Sequence, residues 1–154
     1  MTNLNILKSL SFDCLILVHP QVQVLESTAK EIQEAGIALL NISKALSSFL
    51  MTLSANERGR FSQKWLTERL TNFQSGPVLC TCPDLLFEPS LKIDPLSLFR
   101  QAARIRQIIV LWPGEYSTNT LSYAVPEHQH FQTWKITDSL LRQPAVTIRQ
   151  ISTP

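Results

Sequence analysis

Four short, almost wholly apolar runs recur along the chain: CLILV (Cys14–Val18), IALLNI (Ile37–Ile42), VLCTC (Val78–Cys82) and QIIVLW (Gln107–Trp112). They lack the alternation of a half-exposed strand and match strands covered on both faces. Between them the apolar residues spread to helical spacing. Gln21–Ala35 puts Val24, Leu25, Thr28, Ile32 and Ala35 on one face, with Gly36 placed to end that helix. Ser43 begins an apolar helix over Lys44–Leu53, and Ser54 caps a longer one, roughly Ala55–Phe73. The core face of the longer helix is Phe61, Trp65, Leu66, Leu70 and Phe73. Asp94 as cap and Pro95 as first helical residue open another helix to about Arg104. A short helix over Asn3–Leu10 precedes the first strand. After Pro113-Gly114, read as a turn, the period drops to two, and Thr118–Ala124 and Val146–Ile151 become strands with an exposed face.

Apolar strands alternating with amphipathic helices predict βαβ units. The expected class is α/β: a mostly parallel sheet with helices on both faces and a β-rich C-terminal edge. The chain shows no internal repeat and no low-complexity linker, so one domain over residues 1–154 is expected. Its core falls at about 12–115 and its β-rich part at about 116–154.

Composition adds little and excludes more. A chain of 154 residues with 44% hydrophobic and 17% charged residues can bury a core without disulfides or metals. The apolar bias suits a subunit that covers one face with a partner. A net charge of +2 is too mild to argue for nucleic acid by itself. No apolar run approaches the roughly 18–20 residues of a membrane span, so no membrane partner is expected. The first residues carry Asp13 within their apolar part and no small-residue cleavage site, unlike a signal peptide. Three cysteines, Cys14, Cys80 and Cys82, each in a strand-like run, suit reduced, buried thiols in a cytoplasmic protein.

In doubly wound sheets, ligands sit beyond the carboxyl ends of the strands. The first such link reads VHPQVQVLESTAKE. A phosphate cradle needs close glycines, a lysine for the β/γ-phosphates and a hydroxyl for magnesium. None of the four glycines, Gly36, Gly59, Gly76 and Gly114, lies in this link. Leu25 or Glu26 occupies the lysine's place, Lys30 comes too late, and Glu26 would repel phosphate. The third strand ends CTCPD, with Asp84 past a proline, where a turn or cap role is the simpler reading. Cys80 and Cys82 point to opposite faces of a strand, and Glu127, His128 and His130 lack a third anchored ligand, so no metal site is expected. Nor is there a supported Ser–His–Asp or Cys–His arrangement.

The basic residues allow two readings each. Arg100, Arg104 and Arg106 crowd the end of the helix before the fourth apolar run. Favourable charge at a helix C-terminus accounts for them. Alternatively, Arg104 or Arg106 is presented in trans to a neighbouring subunit's nucleotide. Arg58, Arg60 and Lys64 form either a solvated face beside Glu57 and Glu68 or a contact for DNA phosphates.

LLFEPSLKIDPLSLF (Leu85–Phe99), IIVLWPGEY (Ile108–Tyr116) and LSYAVPEHQHF (Leu121–Phe131), in that order, resemble the BrxF family. These are the small P-loop proteins of type 3 bacteriophage-exclusion (BREX) systems. The specific motifs cover about 50 residues, Pro83–Phe131, and the order of elements extends over nearly the whole chain. The resemblance implies a P-loop NTPase-like fold of the AAA+/RecA-like kind. Two departures stand out. The family's GxxxxGK(S/T) loop corresponds here to His19–Glu26, without glycine or lysine, and its strand-three aspartate falls on Thr81. The arginine that the family carries before strand four is retained, as Arg104 within Ala103-Arg104.

The expected function is therefore that of a degenerate, non-catalytic P-loop-like subunit in a nucleic-acid-directed ATPase assembly of anti-phage defence. No cofactor is expected, since ATP has no cradle on this chain alone. The partner is a larger ATPase or further copies of the chain, with DNA reached through the assembly. Phe87, Lys92, Arg100, Trp112, Glu115 and Tyr116 are the candidate partner interface. A DNA-binding adaptor of a transposition or restriction complex, and an NTPase with an atypical nucleotide site, are the alternatives.

Overall fold

The computed structural model describes residues 13–73, 76–124, 129–142 and 144–152. β1 (Cys14–His19) is buried along its whole length, as its unbroken apolar run demands. It pairs in parallel with β4 (Ile108–Ser117) on one side and with β7 (Val146–Gln150) on the other. β3 (Val78–Thr81) lies against the far side of β4, and β2 (Ala38–Asn41) forms the edge beyond it. The order β2-β3-β4-β1-β7 is parallel throughout. This confirms the α/β class with a mostly parallel sheet.

The strand alternation sorts two cores. Leu15 and Leu17 face α1 (Val22–Glu34), whose Val24, Leu25 and Ile32 pack with Leu79, Ile109 and Leu111. Cys14, Ile16 and Val18 face the other way, toward α2 (Ile42–Leu50), α3 (Ala55–Thr71) and α4 (Pro95–Ala103). Among the described residues, helices thus cover both faces unequally, one against three. Truncating a fully buried leucine such as Leu15 or Leu66 is expected to cost about 2–5 kcal/mol. Among the described residues no helix is long and apolar enough to cross a membrane.

Several local details depart from the sequence reading. Asn41, not Ser43, caps α2, its side chain accepting from the Lys44 N–H at 3.0 Å. Ser54 does cap α3, in a reciprocal box with Glu57. Leu66 and Leu70 on that helix are buried and Trp65 stacks on Phe49 at 4.4 Å, but Phe61 is exposed, as is Ala35 beyond α1. Cys82 lies beyond β3 and is exposed, so the third thiol is not a packing group. The helix expected over Asn3–Leu10 falls outside the described residues.

Pro113-Gly114 is not a turn. β4 runs straight through it, past the end of the parallel sheet, and its outer half pairs antiparallel with β5 (Thr120–Tyr123). The chain reverses at Thr118-Asn119, both at positive φ, and β6 (Gln132–Lys135) then pairs with β5. Gly114 is required by proximity: a Cβ there would fall on the Ser122 carbonyl oxygen. That same oxygen accepts from Trp112 Nε1 at 2.9 Å. The hairpin is joined to the core by an aromatic cluster. Phe87 stacks on Tyr123 at 3.7 Å and meets Trp112 edge-on at 5.0 Å, while Trp134 meets Trp112 at 5.3 Å.

Candidate functional site: the carboxyl edge of the sheet

Because the five strands are parallel, their carboxyl ends collect on one edge, at His19, Asn41, Thr81 and Pro113. The β1–α1 connection on this edge is very short. Only Pro20 and Gln21 separate the two elements. The Gln21 N–H, which a phosphate loop would turn toward its ligand, donates instead to Nδ1 of buried His19 at 2.9 Å. α1 begins without a side-chain cap.

The turn after β3 is fixed from three sides. Cys82 takes a left-handed conformation, φ 50° and ψ 60°, which costs a non-glycine residue strain and must be held by its surroundings. Ser43 supplies that hold. Its N–H and hydroxyl both donate to the Cys82 carbonyl, at 3.0 and 2.5 Å, while its oxygen accepts from the Leu85 N–H at 3.1 Å. Asp84, in the following 3₁₀ turn, accepts from the Tyr123 hydroxyl at 2.9 Å. Burial, and then the Asp84 hydrogen bond and charge, push the Tyr123 phenol well above its ordinary range. Asp84 is thus a turn residue tied to β5.

Two hollows flank this turn. On the α1 side, a cavity of about 280 Å³ lies between the helix flank (Leu25, Glu26, Ala29) and the strand ends (Asn41, Thr81). On the α2 side is a wide, open basin bordered by Lys44, Asp84, Glu88 and His130. His130 pairs with Glu88 at 3.6 Å. Glu88 is held below the usual carboxylate range by the Ser90 N–H it accepts and, less, by His130. Among the described residues no group of histidine, cysteine, aspartate or glutamate could hold a metal; Glu127 and His128 lie outside them.

The sequence-predicted residues do not converge here. Arg104 and Arg106 precede β4 at its amino end, the opposite edge of the sheet. Arg106 donates to the carbonyls of Thr71, Phe73 and Gly76 at 2.9–3.2 Å, so it closes the C-terminal end of α3. Arg104 is exposed. Arg100 is half-buried, with its Nε unsatisfied. Of the expected partner contacts, Phe87 and Trp112 are fully buried in the aromatic cluster and present no surface. Lys92 and Glu115 are exposed and Tyr116 half-buried. Arg58 donates to the Leu50 carbonyl at 3.1 Å, Arg60 lies over Phe61 at 5.3 Å, and Lys64 is exposed on α3.

What sequence reasoning missed is Ser43 and Tyr123. A serine at a helix start reads as a cap, and nothing local in the sequence reveals that it grips a turn 39 residues away. No protein-family model, no curated protein and no solved structure matches this chain.

Proposed function

We propose that the chain is a non-catalytic, P-loop-like subunit of a nucleic-acid-directed ATPase assembly, acting in anti-phage defence through contacts with a larger ATPase or with copies of itself. One conjunction carries this reading. The strand order β2-β3-β4-β1-β7, with β4 inserted between β1 and β3, is compatible with a P-loop-like fold of the AAA+/RecA-like kind. Yet the link that would cradle phosphate holds two residues, one of them proline. A shared framework with the nucleotide loop missing suits a subunit kept for its shape. A nucleotide bound in another pose at the same edge would meet Glu26 and Asp84 as well as Lys30, two negative side chains against one positive.

Any arginine offered in trans is Arg104. Among the described residues its side chain makes no hydrogen bond or ion pair, whereas Arg106 is committed to the end of α3. The test is ATP hydrolysis by the assembly reconstituted with this chain. Arg104→Ala is expected to lower turnover by at least about tenfold. Unchanged turnover sinks the trans-arginine role, and failure of the chain to co-purify with any ATPase sinks the subunit role.

A further inference from the structure

α3 carries an aromatic ring where an amphipathic helix is ordinarily polar. It buries Ser62, Leu66 and Leu70, and its opposite face, the one such helices give to water, holds Phe61 at 38% exposure. One turn on, half-buried Trp65 stacks on Phe49 of α2 at 4.4 Å. Internal packing accounts for Trp65 but not for Phe61. Among the described residues Phe61 joins neither core cluster, and the Arg60 guanidinium lies over its ring at 5.3 Å.

Cations surround this ring. Arg60, Lys64 and Arg69 are exposed on the same helix, and among the described residues none of them forms an ion pair. Glu57 is spent on the Ser54 N–H in the capping box, which leaves Glu68 as the exposed carboxylate of α3. The stem of exposed Lys92 lies against the helix at Gly59, where a Cβ would come within 3.4 Å of its Cδ, so a further cation stands beside Arg60. Arg60, Gln63, Lys64 and Thr67 also border a polar hollow of about 470 Å³, shared with Glu68 and with Gln101 of α4. Exposed cations thus outnumber carboxylates on this face, and the charge it complements is negative.

An acidic protein segment would satisfy the charge but makes no use of a bare ring. An unpaired nucleic-acid strand uses both. Its phosphates meet the cations, and its bases stack on aromatic rings and guanidinium planes, faces that a duplex keeps covered. We propose that the outer face of α3 binds single-stranded nucleic acid, with phosphates on Arg60, Lys64 and Arg69 and a base stacked on Phe61. This surface acts in the isolated chain and is independent of whether the chain works beside an ATPase.

Fluorescence anisotropy of the full chain with labelled oligothymidylate and oligouridylate tests it, with a duplex of equal length and poly-glutamate as controls. Both single strands are expected to saturate below about 100 μM chain, and the tighter of the two identifies the sugar that the surface prefers. Arg60→Gln combined with Lys64→Gln should flatten the dependence of log affinity on log salt by about 1.4, roughly 0.7 for each cation. Phe61→Leu should weaken binding about fivefold, while Phe61→Tyr, which keeps the ring, should bind like the parent. All three positions are exposed, so the variants are expected to fold. Absence of saturation, affinity indifferent to salt, or equal binding of the duplex or of poly-glutamate overturns the proposal. So does an equal effect of the leucine and tyrosine substitutions.

Discussion

Replacing Gly114 with alanine tests how the hairpin is held to the core. The new Cβ would coincide with the Ser122 carbonyl oxygen, a backbone atom that cannot rotate away. β5 must therefore withdraw at the position where Gly114 pairs with Tyr123. Withdrawal breaks the Trp112–Ser122 hydrogen bond and leaves a buried indole N–H unpaired, a loss of about 1–3 kcal/mol. It also loosens the Phe87–Tyr123 stack, for another ~0.5–1.5 kcal/mol. Together the cost is roughly 2–4 kcal/mol, a large share of the ~5–15 kcal/mol that keeps a domain folded. Urea unfolding followed by tryptophan fluorescence reads it as a fall in midpoint of about 1–2 M. The cause is isolated by a double-mutant cycle with Trp112→Phe, which removes the indole donor. If the mechanism holds, the two costs fall short of additive by ~1 kcal/mol or more. A Gly114→Ala midpoint equal to that of the parent, or strict additivity in the cycle, would refute the close-approach argument.

Two further outcomes follow from buried titrating groups. Cys14 is pushed up to about 12 by burial first and the Asp13 charge next, and burial drives Cys80 higher still. A thiol reagent such as Ellman's should thus label Cys82 quickly at pH 8 and the other two only on unfolding. Cys82→Ser should abolish the fast phase, and two or three fast thiols would contradict the packing. Tyr123 gives the pH prediction. Its phenol is raised in the folded state above the ordinary value of about 10, so its stabilising contribution is complete below pH ~10 and is lost as pH rises toward the folded value. Tyr123→Phe should flatten the decline of the urea midpoint above pH ~10, and an unaltered slope would show that another group is responsible.

The parallel sheet was legible because burial on both faces leaves a local mark, an unbroken apolar run, and β1, β3 and the inner half of β4 carry it. The helices were legible for the same reason, with Ser54 and Asp94 marking two starts by their own hydrogen bonds. The outer half of β4 was not. Pro113-Gly114 has turn composition, and only the approach of β5 explains a glycine inside a strand. The true reversal, Thr118-Asn119, hides because threonine rarely takes positive φ. That the link between β1 and α1 carries no glycine could be read directly. The cavity could not, since Leu39, Thr81 and Leu111 come from three strands, and no segment shows their convergence on the flank of α1.

The central proposal is that this chain is P-loop-like in framework but binds no nucleotide. Calorimetric titration of the full chain with Mg-ATP tests it most directly. No saturable heat up to millimolar nucleotide, and no hydrolysis, is the predicted result. Saturable Mg-ATP binding accompanied by turnover would contradict the account.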